Sequence, residues 1–194
     1  NDDWGTGATL TAGEEEINNL DVVADIDVEK EGKLCPQLDK WTQKSYKAVD
    51  GINYSYAEYT PKKDDKKNAL VIWLHGAGEG GTDTSIDLLA NEVTAMAGDQ
   101  FQKDMNDAYV IAPQCPTMWM DGGNGEYQNG EKGSIYAKGL FDLIDNYVKN
   151  NPDVDTSKIY IGGCSNGGYM TMEMILKHPD YFTAAFPICE AYQD

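Results

Sequence analysis

Five residues, Gly163-Cys164-Ser165-Asn166-Gly167, restrict this chain more than any other feature. They stand between a β-rich run at 158–162 (KIYIG) and a run with helical periodicity at 166–177 (NGGYMTMEMILK). A chain that leaves a strand and enters a helix within one residue strains the residue at the junction, and side chains two positions to either side collide. Glycine at 163 and 167 removes the collision, so both are expected as elbow glycines with Ser165 at the tip. The Ser165 hydroxyl would then project above a sheet at the positive end of a helix. There the field and the Asn166 amide favour an anionic oxygen, which is the setting for a serine nucleophile.

The rest of the chain supplies a sheet for such a junction. Residues 69–74 (ALVIWL) are continuously apolar, as a strand covered on both faces requires. Residues 109–112 (YVIA), 158–162 and 183–189 are further short β-rich runs. Between them, Ala137, Leu140, Phe141, Ile144, Tyr147 and Val148 recur at helical steps and stop before Pro152. The second helix, 166–177, ends at His178-Pro179. Strands alternating with helices imply right-handed crossovers and an α/β fold with a doubly wound, mostly parallel sheet. Ahead of it, 44–49 and 52–59 flank Asp50-Gly51, a dipeptide of tight turns, and predict an N-terminal β-hairpin.

The loop after the apolar strand, His75-Gly76-Ala77-Gly78-Glu79-Gly80-Gly81, is the second glycine-rich feature. Glycine there lets a backbone N–H approach a ligand closely. His75 and Gly78 are candidate cleft residues. Further upstream, residues 1–19 are rich in Gly, Asn, Asp and Glu and read as a poorly ordered lead-in. Residues 20–29 alternate apolar with mostly acidic positions, a strand with one acidic face that belongs to a sheet edge or to a preceding β-domain. The acidic run Glu14-Glu15-Glu16 reads most simply as a solvated face.

Charge narrows the ligand classes. The 194 residues carry a formal net charge of −18, and every basic side chain is lysine. A nucleic-acid or anionic-membrane surface needs a basic footprint, which this chain lacks, and no apolar run is long enough to span a bilayer. Without arginine there is no bidentate clamp for phosphate or carboxylate groups, so a neutral or weakly charged substrate is the better fit. Four cysteines (35, 115, 164, 189) and two histidines form no structural zinc pattern. One or two disulfides in an extracellular protein, or buried thiols packed as hydrophobes, both remain open readings.

Taken together, LHGAGEGGTD, VIAPQCP and IYIGGCSNGGYMTMEMILKHPDYFTAAFPIC resemble the α/β-hydrolase esterases and peptidases related to prolyl oligopeptidase. They are similar in particular to secreted esterases with an N-terminal immunoglobulin-like domain. The resemblance covers residues 44–194 and implies the N-terminal portion of an α/β-hydrolase catalytic domain, with 1–43 as lead-in and edge strand or linker. It implies Ser165 as nucleophile, backbone amides of Ala77 and Asn166 as oxyanion hole, acyl transfer on a small-molecule ester, and no metal or organic cofactor. Peptidase activity is the alternative it carries, and a non-catalytic binding module is the rival outside enzymes. It places Trp119 and its loop near the cleft, although a surface loop with tucked-in aromatics fits those residues equally. An extracellular location follows from the same likeness.

One departure accompanies it. In that family the acid and the histidine follow the serine, and only 29 residues follow Ser165 here. The C-terminal strands are therefore expected to be missing, with a C-terminal fragment of the same enzyme supplying acid and His. His178 should stand roughly 18 Å from Ser165, a helix length away, too far to act as its base.

Overall fold

The computed structural model describes residues 11–12, 15–16, 35–127 and 133–192. The alternating run at 20–29 lies outside them. The chain forms two compact units, Asn1–Pro36 and Gln37–Asp194. In the first, β1 (Thr11–Ala12) pairs antiparallel with β2 (Glu15–Glu16).

The second unit is built on a six-stranded sheet of β3 (Thr42–Lys47), β4 (Asn53–Tyr59), β5 (Asn68–Leu74), β6 (Tyr109–Gln114), β7 (Val154–Cys164) and β8 (Ala184–Ile188). The spatial order is β3-β4-β6-β5-β7-β8. The β3–β4 and β4–β6 pairs are antiparallel, and the β6–β5, β5–β7 and β7–β8 pairs are parallel. The helices are α1 (Thr84–Leu89), α2 (Asp99–Asp104), α3 (Ala137–Asn150) and α4 (Asn166–Lys177). This is the expected mostly parallel α/β sheet, with the hairpin at its start. Among the described residues, no helix is long and apolar enough to cross a membrane.

The apolar run on β5 explains how the sheet is covered. All seven of its residues are buried. Leu70, Ile72 and Leu74 face a core with Leu140, Leu143 and Ile144 of α3 and Met170 and Met174 of α4. Ala69, Val71 and Trp73 face the other side, against Leu88 of α1, Val93 and Ala97. Period-two alternation thus feeds two cores, and each large aliphatic side chain buried there contributes about 1.5–3 kcal/mol. The hairpin closes as its Asp-Gly pair requires: Ala48 N–H donates to the Ile52 carbonyl at 2.9 Å, and Gly51 adopts φ +83°. Asp142 of α3 then holds it, accepting from the Val49 amide at 2.8 Å and the Tyr46 hydroxyl at 3.0 Å.

Two consequences of this order position the site. From β5 the chain moves to β6 on one side, then crosses back to β7 on the other. Strand order therefore reverses between β5 and β7, and the loops leaving their carboxyl ends diverge around a crevice, the usual ligand position in open α/β sheets. The other consequence concerns β8, whose residues are all at least partly exposed, with Ile188 open to solvent.

Candidate active site

Ser165 stands between the last residue of β7 and the first of α4, at φ 54° and ψ −109°, a conformation that a non-glycine residue rarely adopts. It is exposed. Backbone bonds hold it from both directions: its amide donates to the Ile188 carbonyl of β8 at 2.8 Å, and its carbonyl accepts from the Tyr169 amide at 3.0 Å. Neither elbow glycine could carry a side chain. A Cβ on Gly163 would clash with the Leu74 carbonyl and lie 2.7 Å from the Gly167 carbonyl carbon; one on Gly167 would clash with Leu74 and lie 2.6 Å from the His75 carbonyl oxygen. The elbow is thus packed directly on the end of β5.

That packing brings the two glycine-rich segments to one edge. Leu74 is the register partner of Gly163 across β5–β7, so the loop beginning at His75 and the turn at Ser165 leave neighbouring strands together. Ala77 opens a short 3-10 turn, Ala77–Glu79, and Gly78 is exposed on it. The loop is braced at several points. The Gly76 amide donates to the Glu79 carboxylate. The Gln114 side chain donates to the Glu79 and Asp83 carbonyls at 2.7 and 3.0 Å, and the Gly81 amide donates to the Cys115 carbonyl at 2.8 Å. A loop held this way can present backbone amides without reorganising, which is what electrostatic stabilisation of a developing charge requires.

His75 is engaged elsewhere. It is fully buried, with both ring nitrogens used. Its Nε2 accepts from the Cys115 amide at 3.1 Å, which leaves the proton on Nδ1 to donate to the Gly76 carbonyl at 2.6 Å. Burial pushes its pKa down to about 4, against the opposing pull of the Gly76 carbonyl. A ring with its acceptor nitrogen already occupied is a strut between β5 and β6, not a proton shuttle for Ser165. His178 caps the far end of α4 with its ring stacked on Phe141, centroids 3.4 Å apart, and burial lowers its pKa as well.

Trp119 is fully buried, its ring 5.1 Å from that of His75 and edge-on to Tyr136. Of the two readings open for its loop, the tucked-in aromatic describes Trp119; Met120 is buried as well, while Tyr127 is exposed. The loop is fastened to the elbow, because the Met120 amide donates to Oδ1 of Asn166 at 3.2 Å.

Four residues contribute in ways that sequence reasoning missed. Gln114 and Cys115 brace the loop, and the only signal was a polar pair ending the strand in VIAPQCP. Asn166 was expected for its amide, and its side chain adds the tie to Met120. Asp87 on α1 is buried with both carboxyl oxygens lacking a hydrogen-bond partner, and burial, then the nearby Glu79 charge, push its pKa well upward. No periodicity distinguishes Asp87 from a solvated acid. Among the described residues, no group of three or more His, Cys, Asp or Glu could hold a metal ion.

A model of the prolyl oligopeptidase family matches residues 123–190. The chain is 28% identical over 155 residues to poly(3-hydroxyalkanoate) depolymerase C of Paucimonas lemoignei, covering 76% of this chain and 34% of that protein. It is 26% identical over 152 residues to the poly(3-hydroxybutyrate) depolymerase of Ralstonia pickettii, covering 73% and 30%. The chain thus spans about a third of the length of the curated relatives it matches. Among solved structures, a thermostable esterase superposes with a TM-score of 0.67 at 30% identity, over 80% of this chain and 42% of the esterase. The S-formylglutathione hydrolase of Staphylococcus aureus superposes at 0.53 with 21% identity, over 79% and 58%, a likeness of fold. The chain has the α/β-hydrolase fold, and the proteins it resembles are hydrolytic enzymes.

Proposed function

We propose that the protein is a serine hydrolase that cleaves carboxylic esters by acyl transfer, with Ser165 as nucleophile. The observation that carries this reading is the backbone of Ser165, φ 54° and ψ −109° at a strand-to-helix junction on the edge shared with the His75–Gly81 loop. Strain of that size persists only where surrounding packing enforces it, and it lifts the hydroxyl clear of the sheet. Attack of the Ser165 oxygen on the ester carbonyl forms a tetrahedral oxyanion, which the backbone amides of Asn166 and Ala77 stabilise. Collapse expels the alcohol, and water then releases the acid.

The base that takes the Ser165 proton comes from outside these 194 residues, because the sequence has two histidines and neither is available. His75 has its acceptor nitrogen filled by the Cys115 amide, and His178 lies at the opposite end of α4. We assign the base and its orienting acid to a further segment of the same enzyme. The absence of arginine, and the esterase and depolymerase names of the similar proteins, support a neutral ester over a charged peptide. The prolyl oligopeptidase family match favours peptide cleavage as the second reading. A protein that binds but does not cleave is the third. An extracellular location is proposed only by resemblance to secreted esterases.

Turnover of short p-nitrophenyl esters by the full-length protein separates these readings. Ser165→Ala should lower it by at least about 10⁴-fold, as loss of a serine nucleophile does. Esters left intact while short peptide amides are cleaved would favour the peptidase.

A further inference from the structure

The joint between the elbow and β8 contains two cysteines, and we propose that Cys164 and Cys189 are a disulfide-forming pair that staples the elbow to β8. Cys164 ends β7 and has Ile188 as its register partner on β8; Cys189 is the next residue. Parallel strands stand about 4.8 Å apart with a rise of about 3.3 Å per residue, so a one-residue offset separates the two Cα atoms by roughly 6 Å. That lies inside the window of about 4.4–6.8 Å over which disulfides form without backbone movement. Backbone direction also favours it. Side chains alternate along a strand, but Cys189 adopts φ +47°, which takes its side chain out of that alternation. The Cys189 thiol lies near enough to Cys164 to help raise its pKa, after burial.

Both sulfurs are reduced, and they differ in access: Cys189 is exposed, Cys164 partly buried with its pKa raised first by burial. That sets the order of reaction with a low-molecular-weight disulfide such as oxidised glutathione. The Cys189 thiolate attacks one of its sulfurs, forming a mixed disulfide and releasing one glutathione thiolate. The Cys164 thiolate then attacks the Cys189 sulfur and releases the second. Two protein thiols lose two protons and two electrons, and one glutathione disulfide becomes two thiols. Cys115 does not compete, being fully buried with its thiol pKa pushed far up by burial. The bridge closes a joint already made by the hydrogen bond from the Ser165 amide to Ile188, so it locks the conformation present in the dithiol form. The proposal does not depend on the role of Ser165 in catalysis.

Peptide mapping tests it on the native protein. After incubation with excess oxidised glutathione and alkylation of remaining thiols, cleavage after Lys158 and Lys177 puts Cys164 and Cys189 on separate peptides. The expected product is these two peptides joined, two hydrogens lighter than their sum, and absent from Cys189→Ser. The Tm of the wild type should rise by about 5–10 °C on oxidation, through the loop it closes, while Cys189→Ser stays unchanged. Both cysteines recovered alkylated or singly glutathionylated, or either joined to Cys35 or Cys115, would overturn the pairing. A joined product with an unchanged or lowered Tm would overturn the staple.

Discussion

Gly167 sits with its Cα against the carbonyl of Leu74, so close that any side chain at 167 would overlap it. This contact seats the elbow on the end of β5, and it is a steric requirement with a measurable cost. Gly167→Ala should destabilise the protein by about 3 kcal/mol in urea unfolding, the upper range for overpacking at a site walled by backbone. Gly78→Ala is the contrast, since a Cβ there meets nothing within 4 Å. It should change stability by less than about 1 kcal/mol. Equal effects of the two substitutions would mean that the contact is not the constraint.

The Cys115 amide bonded to Nε2 of His75 leads to a pH prediction. Folded His75 stays neutral down to about pH 4, whereas in the unfolded chain it takes up a proton below its ordinary value of 6.5. Between those limits the unfolded state binds more protons, so stability falls as pH falls from 6.5 toward 4. The shift of two to three units corresponds to roughly 3 kcal/mol for this buried ring. His75→Gln should be less stable at pH 7.5 but lose less between pH 7.5 and 4.5. Urea midpoints for both proteins at the two pH values check this, and parallel losses would contradict it.

Asp87 works in the opposite sense. Its carboxyl, unpaired and buried, holds its proton to higher pH in the folded state than in the unfolded chain, which ionises near 3.8. Its contribution is complete below that value and is lost as pH rises toward its folded pKa. Asp87→Asn, which cannot ionise, should raise stability at pH 7 by about 1–3 kcal/mol, with the gain vanishing near pH 3.8. A gain that persists at low pH would point to packing instead.

Much of this architecture was legible in the chain. Residues 69–74 announced a strand buried on both faces, and the glycines at 163 and 167 located the junction to within a residue. Both signals are local, set by periodicity and backbone sterics. What escaped depends on neighbours distant in sequence. His75 reads as a candidate for the cleft until β6 brings the Cys115 amide to its ring. Trp119 reads equally as cleft lining or as an aromatic tucked into a surface loop until it is found packed on His75 and Tyr136. The Asn166 side chain reaches Met120 across 46 residues of chain, a contact that no pattern around either residue encodes.

The central claim is that Ser165 is the nucleophile, and covalent labelling tests it most directly. The full-length protein is treated with a fluorophosphonate, digested after Lys158 and Lys177, and mapped by mass spectrometry alongside Ser165→Ala. The expected result is one adduct per chain on Ser165 in peptide 159–177, formed in step with loss of ester turnover and absent from the variant. Label on any other residue with Ser165 unmodified, or ester turnover that survives Ser165→Ala, would contradict it.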